Sequence, residues 1–353
     1  MIEKFNKYYQ EEKEILNKKI NEYNSKLVVE ENPLLKDNLY YFSKLNTNGK
    51  LIRGVLTDLG YFLLKDNRNY SNDLALAYEV FQTAILVHDD IIDQDEKRRG
   101  VNTIHYENYN KYKEYNELEA KHLSNSIAIC MGDLGLYEAN KIISTSYKDD
   151  PNLSKVLINF NDTVLNTIKG EVLDVVLPFE SKNKNINNDI LEESIMNIYR
   201  LKTSHYTIIG PLSVGLLLAG ADSKKIDDIT KFGEKVGIAF QIQDDILGIY
   251  SDEIGKVIGS DIKEFKQTIL YSHIAKTKYI NELKKYYGKD ISNDSINKVR
   301  ELFKKSGSLD YSINMMNNMY DESISILDSI DWIEENKKSI LRGFVEYLRK
   351  RNK

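Results

Sequence analysis

A chain of 353 residues with 49 Lys and Arg against 54 Asp and Glu carries a formal charge of −5, too balanced for the broad basic field that nucleic-acid binding needs. Its single cysteine, Cys130, excludes internal disulfides and cysteine-cluster metal sites and suits a reducing cytoplasm. The opening run MIEKFNKYYQEEKEILNKK has no apolar core and reads as no signal peptide, and the longest apolar stretch, 211–221, is too short to span a bilayer.

Only four prolines occur, Pro33, Pro151, Pro178 and Pro211, and apolar residues recur at three- and four-residue steps. Long tracts without breakers and with that period predict an all-α fold, and no linker divides the chain, so one domain is expected over 1–353. Taken alone, Lys50 and Arg53 read as the cap of a turn after Gly49. From Leu74 to Ile92 the residues Ala77, Phe81, Ala84, Ile85 and His88 form one helical stripe. Two polar stretches, Tyr106 to Ser124 and Ser181 to Asp189, read as loops or surface insertions. A second helix is expected from Ile226 to Ile249, with Ile229, Phe232, Val236, Ala239, Phe240 and Gln243 in register. Both helices end in aspartates. The tail from Arg349 to Lys353 is a short basic cluster whose default reading is a solvated end, and the five histidines show no ligand spacing.

The most informative segment is HDDIIDQDEKRRG, His88 to Gly100. Asp89 and Asp93 are four residues apart, so on a helix both carboxylates project from one face and can share hard cations. Magnesium prefers oxygen ligands and commonly uses one or two carboxylates together with substrate phosphates. The acids follow the apolar run AILV, where a merely solvated acidic face is unexpected. Arg98 and Arg99 come directly after as permanently charged phosphate donors. A second acidic site stands in FQIQDDILG, Phe240 to Gly248, with Asp244 and Asp245 again ending an apolar helix. Two such helices facing each other would hold metals between them.

The combination of DDxxD-RRG with FQxxDD resembles the polyprenyl synthetase family, the trans-isoprenyl diphosphate synthases, and the likeness extends from about Asn48 to Lys266. NGKLIR (48–53) is similar to the family's GGKxxR element, Lys202-Thr203 to its KT pair, and GKVIGSDIKEFK (255–266) to its GKxxGxDxxxGK segment. The resemblance implies a helical bundle around a central substrate cavity, and a soluble cytoplasmic homodimer. It also implies a transfer reaction in which an allylic diphosphate ionises and isopentenyl diphosphate captures the carbocation. Catalysis then requires neutralising the expelled diphosphate without quenching the cation. Opposite unit charges about 4 Å apart interact by roughly 4 kcal/mol at an effective dielectric of 20, so several such contacts suffice.

By resemblance, Asp89, Asp93 and Asp244 are the magnesium ligands, with three ions expected per active site, and Asp90 and Asp245 support them. Arg98, Lys202 and Lys256 would grip the allylic diphosphate, with Lys266 assisting. Lys50, Arg53 and Arg99 would supply a metal-free pocket for the isopentenyl diphosphate. Gln82 stands where many relatives carry a histidine contacting that group. Thr203 and Gln241 would present oxygen dipoles to the cation, and the departing diphosphate would remove the last proton.

The sequence departs from the pattern in places. Asn48 replaces a glycine, Gly54 a proline, Gly248 the last aspartate of the second acidic motif, and Phe265 a glycine before Lys266. Asp261 is the candidate to compensate for Gly248. In this family the product grows down a tunnel lined by the helix before the first aspartates. Ala84 and Ile85 lie about one turn below Asp89, where small Ala84 argues against a floor, whereas Phe81 would lie about 12 Å down at 1.5 Å per residue and could form one. A product of geranylgeranyl length or somewhat longer is expected. The alternatives are a farnesyl diphosphate synthase, a catalytically silent partner subunit, a terpene cyclase or head-to-head condensing enzyme, and a nonenzymatic helical scaffold. Silent subunits typically lose aspartates, which are all present here, and cyclisation has no need of a second diphosphate pocket.

Overall fold

The computed structural model describes residues 1–29, 32–47, 49–183, 187–251, 259–289 and 292–351. They form two compact units, the first made of Lys7–Ile158 with Pro211–Ala221 and the second of Met1–Asn6, Asn159–Gly210 and Asp222–Lys353. The fold is all-α, as periodicity predicts.

In chain order the helices of the first unit are α1 (Ile2–Leu27, entering at Lys7), α2 (Pro33–Thr47), α3 (Ile52–Phe62), α4 (Asn72–Ile92), α5 (Ile104–Tyr112) and α6 (Glu117–Ser146). The start of α7 (Leu153–Asn183) also lies there. No glycine or proline interrupts 72–92, and Asp73 in the first turn complements the helix dipole, so α4 forms two residues longer at its start than expected. It is buried along Leu74, Ala77, Tyr78, Phe81 and Ala84 and packs against α3 and α6. At Gly135 on α6 a Cβ would lie 2.8 Å from Ala84 Cβ and 2.6 Å from the Phe42 ring, so glycine lets α2, α4 and α6 approach.

The polar stretch 106–124 is not a loop. Most of it is helical, in α5 and α6, because polar residues that look solvated in sequence are used as caps and tertiary bonds. Asn116 caps α6 by accepting from Glu119 N at 3.1 Å, and buried Asn108 donates to Asn38 Oδ1 at 2.7 Å. Likewise α7 runs to Asn183 straight through Pro178, so 181–183 are helix. Asn187 then caps α8 (Asn188–Ile198) by accepting from Asp189 N.

The second unit follows α8 with a π-helix over Tyr199–Ile209; α9 (Gly210–Leu218) comes next in the chain and from Pro211 belongs to the first unit. Then come α10 (Ser223–Tyr250), α11 (Ser260–Lys263), α12 (Ile269–Ala275), α13 (Ile280–Leu283), α14 (Asn293–Lys305), α15 (Ser308–Ser329) and α16 (Glu335–Arg349). Asp222 caps α10 by accepting from Lys225 N at 3.0 Å, which starts the helix three residues before the apolar register begins. The core of this unit joins Ile198, Tyr199, Ile238, Ile242, Ile249 and Ile269 with Leu302 and Phe303. Among the described residues no helix is long and apolar enough to cross a membrane.

Candidate active site

In the first unit α4 ends at its aspartates. Asp93 closes the helix as its C-cap, donating its N–H to Asp89 O at 2.8 Å, and Gln94 then turns the chain with φ 57°. A short antiparallel hairpin follows, Lys97–Arg98 (β1) paired with Val101–Asn102 (β2). Its two turn residues, Arg99 and Gly100, both hold positive φ, 53° and 81°, as the favoured two-residue hairpin turn demands. Nothing in the alternation of the sequence predicts this hairpin, because two-residue strands carry no period.

The hairpin sends Arg98 and Arg99 to different partners. Arg98 bonds Asp90 closely, and reaches Asp89 at 3.2 Å and Asp95 at 3.0 Å. Burial pushes the Asp90 carboxyl up to about 7, against the downward pull of Arg98. Arg99 donates to Leu45 O at 3.1 Å, and a Cβ on Gly49 would lie 2.9 Å from its Nη1, so glycine leaves room for this guanidinium.

Gln82 ties a cationic group together. Its Oε1 accepts from Arg99 Nη2 at 2.7 Å and Arg53 Nη1 at 2.9 Å, while its amide nitrogen donates to Glu79 Oε2 at 2.8 Å. Glu79, buried on α4, also accepts from Gly54 N at 2.7 Å. Burial raises its pKa, while the Gly54 N–H and the two arginines act the other way. Exposed Lys50 lies on the same stretch, its carbonyl held by Tyr9 Oη at 2.5 Å. Phe81 is wholly buried, edge-on to Tyr78 at 6.0 Å, Ala84 is buried against α6, and Ile85 is half-buried. His88 lies against Ile129 O at 3.2 Å and Gly132, a packed structural residue.

In the second unit Lys202 and Thr203 lie on the π-helix, whose wide turns are frequent at functional sites. A Cβ on Gly170 of α7 would be 2.5 Å from Lys202 N, so that glycine admits the π-helical backbone. Lys202 Nζ pairs with Glu171 at 2.7 Å and Asp174 at 2.6 Å, two acids of α7 that the motif reading did not include. Thr203 donates to Gln241 Oε1 at 2.5 Å, and Gln241 donates to Asp245 Oδ1 at 2.8 Å. Asp245 accepts a second, short bond from Tyr199 Oη. Its carboxyl is pushed up to about 7, by burial foremost and by Asp261 and Asp174, while the Tyr199 and Gln241 bonds oppose this.

The space beside Gly248 is filled from elsewhere: a Cβ there would lie 2.6 Å from Asp261 Oδ2. Lys266 stands near Glu264 at 3.4 Å and Asp261 at 3.9 Å. Asn48 and Lys256 lie outside the described residues. As far as Arg351, the last described residue, the C-terminal segment is not a solvated end. Arg351 pairs with Asp244 and covers the Phe240 ring at 4.6 Å, and Gln243 Nε2 bonds Arg351 O at 2.8 Å. Arg349 meets Asp321 at 2.5 Å. The reason is physical: an aromatic ring and a carboxylate one turn apart match the flat face and the N–H edge of a guanidinium.

Helices that carry paired aspartates at or near their ends, with arginines and lysines bonded to acids, stand on an all-α fold. The chain matches the polyprenyl synthetase family over residues 32–305 and belongs to that family; it is a prenyltransferase. It is 30% identical over 315 residues to the geranylgeranyl diphosphate synthase of Sulfolobus acidocaldarius, covering 87% of this chain and 88% of that one. It is 27% identical to the geranylfarnesyl diphosphate synthase of Aeropyrum pernix, covering 88% and 92%. The crystal structure of geranylgeranyl pyrophosphate synthase from Corynebacterium glutamicum, complexed with isoprenyl diphosphate and magnesium, superimposes with a TM-score of 0.86 at 25% identity, covering 96% of this chain and 98% of that one.

Proposed function

We propose that the protein joins isopentenyl diphosphate to an allylic diphosphate and makes geranylgeranyl diphosphate or a somewhat longer polyprenyl diphosphate. The observation that carries this is the group Arg53, Arg99 and Gln82 anchored on buried Glu79. A cationic cluster whose one carboxylate is already bonded by Gln82 and the Gly54 N–H suits a diphosphate that must stay attached, which condensation needs and cyclisation does not. The whole chain acts as one synthase domain, a reading supported by the fact that neither unit is a continuous stretch of sequence.

Among the described residues no three His, Cys, Asp or Glu side chains form a group that could hold a metal ion. The donors present are nonetheless all oxygen, Asp90 Oδ2 is buried with no hydrogen-bond partner, and a guanidinium sits on Asp244 as a cation would. That fits magnesium completed by substrate phosphates. Asp89, Asp93 and Asp244 would hold it, three ions per active site, and when bound it supplies positive charge to offset the leaving diphosphate. Arg98, Lys202, Lys256 and Lys266 grip the allylic diphosphate, while Lys50, Arg53, Arg99 and Gln82 bind the isopentenyl one. Arg98 and Lys202 leave some of their present carboxylate partners to do so. Thr203 and Gln241 turn oxygens toward the allylic cation, Asp90 and Asp245 support the metal ligands, and Asp261 supplies the carboxylate that Gly248 lacks.

The enzyme works as a cytoplasmic homodimer, a reading supported by Ile129 and Tyr137 exposed on α6 and by Val172, Val176 and Phe179 exposed on α7. The distinguishing experiment is steady-state kinetics of Arg53→Ala and Arg99→Ala. Loss of one charged hydrogen-bonding donor should raise the KM for isopentenyl diphosphate about tenfold or more, with the allylic KM little changed. An increase confined to the allylic KM would reverse the assignment of the two sites.

A further inference from the structure

With Asp245 ionised, the bond chain that ends at Thr203 has a fixed polarity, and its origin lies outside every motif. Ile269 N, at the start of α12, donates to Tyr199 Oη at 3.1 Å. A hydroxyl that already accepts there has its own proton free, and that proton goes to Asp245 Oδ2. The other carboxylate oxygen accepts from Gln241 Nε2 at 2.8 Å. With its nitrogen end drawn to an acceptor, the Gln241 amide cannot turn round, so Oε1 stays at the far end and takes the Thr203 proton at 2.5 Å. The Thr203 hydroxyl hydrogen is thereby spent inside the protein, and its lone pairs are left to face outward. Tyr199 and Asp245 are buried, so water does not compete for these bonds.

We infer that Tyr199 is a positioning residue for the condensation: through Asp245 it locks the Gln241 amide and the Thr203 hydroxyl with oxygen lone pairs, not hydrogens, toward the allylic cation. This rests on the reading that Thr203 and Gln241 face that cation. A hydroxyl free to rotate would present its positive end part of the time, opposing the charge that develops as the carbon–oxygen bond to diphosphate breaks. The backbone N–H of Ile269 also gains a partner that helix starts otherwise lack.

The test is single-turnover kinetics, with binding measured separately, for Tyr199→Phe, Thr203→Val and the double variant. Tyr199→Phe should slow condensation about 10- to 100-fold, with the KM for both diphosphates unchanged within about twofold. Because both residues act through one hydroxyl, the double variant should be no slower than Thr203→Val by more than about twofold. A wild-type rate for Tyr199→Phe, effects that multiply, or a change confined to KM would each overturn the inference while leaving the reading of Thr203 intact. A wild-type rate for Thr203→Val would remove that reading and the inference with it. Should Tyr199→Phe fail to fold, Asp245→Asn carries the same test. Asparagine keeps the volume but offers a donor where the carboxylate only accepts, which weakens the hold on the Gln241 amide; a loss of rate that does not multiply with that of Thr203→Val is expected, and an unaltered rate, or a loss that multiplies as a separate effect on the metal ligands would, overturns the proposal.

Discussion

Leu51, Gln94, Arg99 and Phe265 hold positive φ of 58°, 57°, 53° and 59° without being glycine. Such backbone costs of order 1 to 3 kcal/mol per residue and persists only where its surroundings over-determine it. Each of the four lies in or beside a motif: in NGKLIR, after Asp93, in the hairpin turn and before Lys266. Phe265 holds this conformation by packing edge-on against Tyr271 and Tyr287 at 5.5 and 5.7 Å. The acids named by motif were legible because they come in pairs at helix ends. Glu79, Glu171, Asp174 and Tyr199 were not, since a lone polar residue in an apolar helix has no periodic signature and its partner is set by packing. For Glu79 a signal did exist, an acid inside the run LALAYEVFQTAILV. Glu79→Gln should raise the KM for isopentenyl diphosphate about tenfold by loosening Arg53 and Arg99, a change that steady-state kinetics would read.

Away from the motifs, Asp58 is buried on α3 and bonded by Ser71 at 2.5 Å. Burial, foremost, lifts its pKa well above the ordinary carboxylate range, with Glu12 adding to this and Ser71 and Arg68 opposing it. The folded state therefore binds this proton more tightly than the unfolded chain. Its stabilising contribution is present below the unfolded pKa of about 4 and is lost as pH rises through the folded value. Asp58→Asn should melt higher than the parent at pH 7 and converge with it near pH 4. A difference that grows on acidification would contradict the assignment.

Among the elements, α4 and α10 were legible in the sequence because uninterrupted apolar stripes leave helix as the sole fit; α4 starts two residues earlier than expected, and α10 starts three earlier, on its Asp222 cap, and runs one residue further. The stretches 106–124 and 181–183 were misread for the converse reason, since polarity marks solvent exposure only until a cap or a buried partner uses it. The π-helix is invisible to a 3.6-residue period, and it is where Lys202 and Thr203 reside. Gly170 tests that element. A methyl placed 2.5 Å from Lys202 N must push the π-helical backbone away, so Gly170→Ala should cost about 1 to 3 kcal/mol in chemical denaturation and lower activity. Unchanged stability and rate would show the π-helix to be tolerant of its neighbour.

At the scale of the molecule, fold class and family were legible from helical period and five ordered motifs, while the proposed product length was not, since it rests on how side chains stack below Asp89. There the structure adds Phe42, buried with Ala84 at Gly135. Phe81→Ala should shift the products to longer chains on chromatography, with a folding cost of about 3 to 5 kcal/mol if the space stays empty. An unaltered length distribution in folded protein would reject Phe81 as the floor. The most direct measurement is incorporation of labelled isopentenyl diphosphate by the purified protein, with each allylic starter, in magnesium and after chelation. Magnesium-dependent formation of polyprenyl diphosphates of geranylgeranyl length or longer is expected. Failure to elongate any starter, or release of diphosphate from the allylic substrate with no isopentenyl unit consumed, would contradict the account.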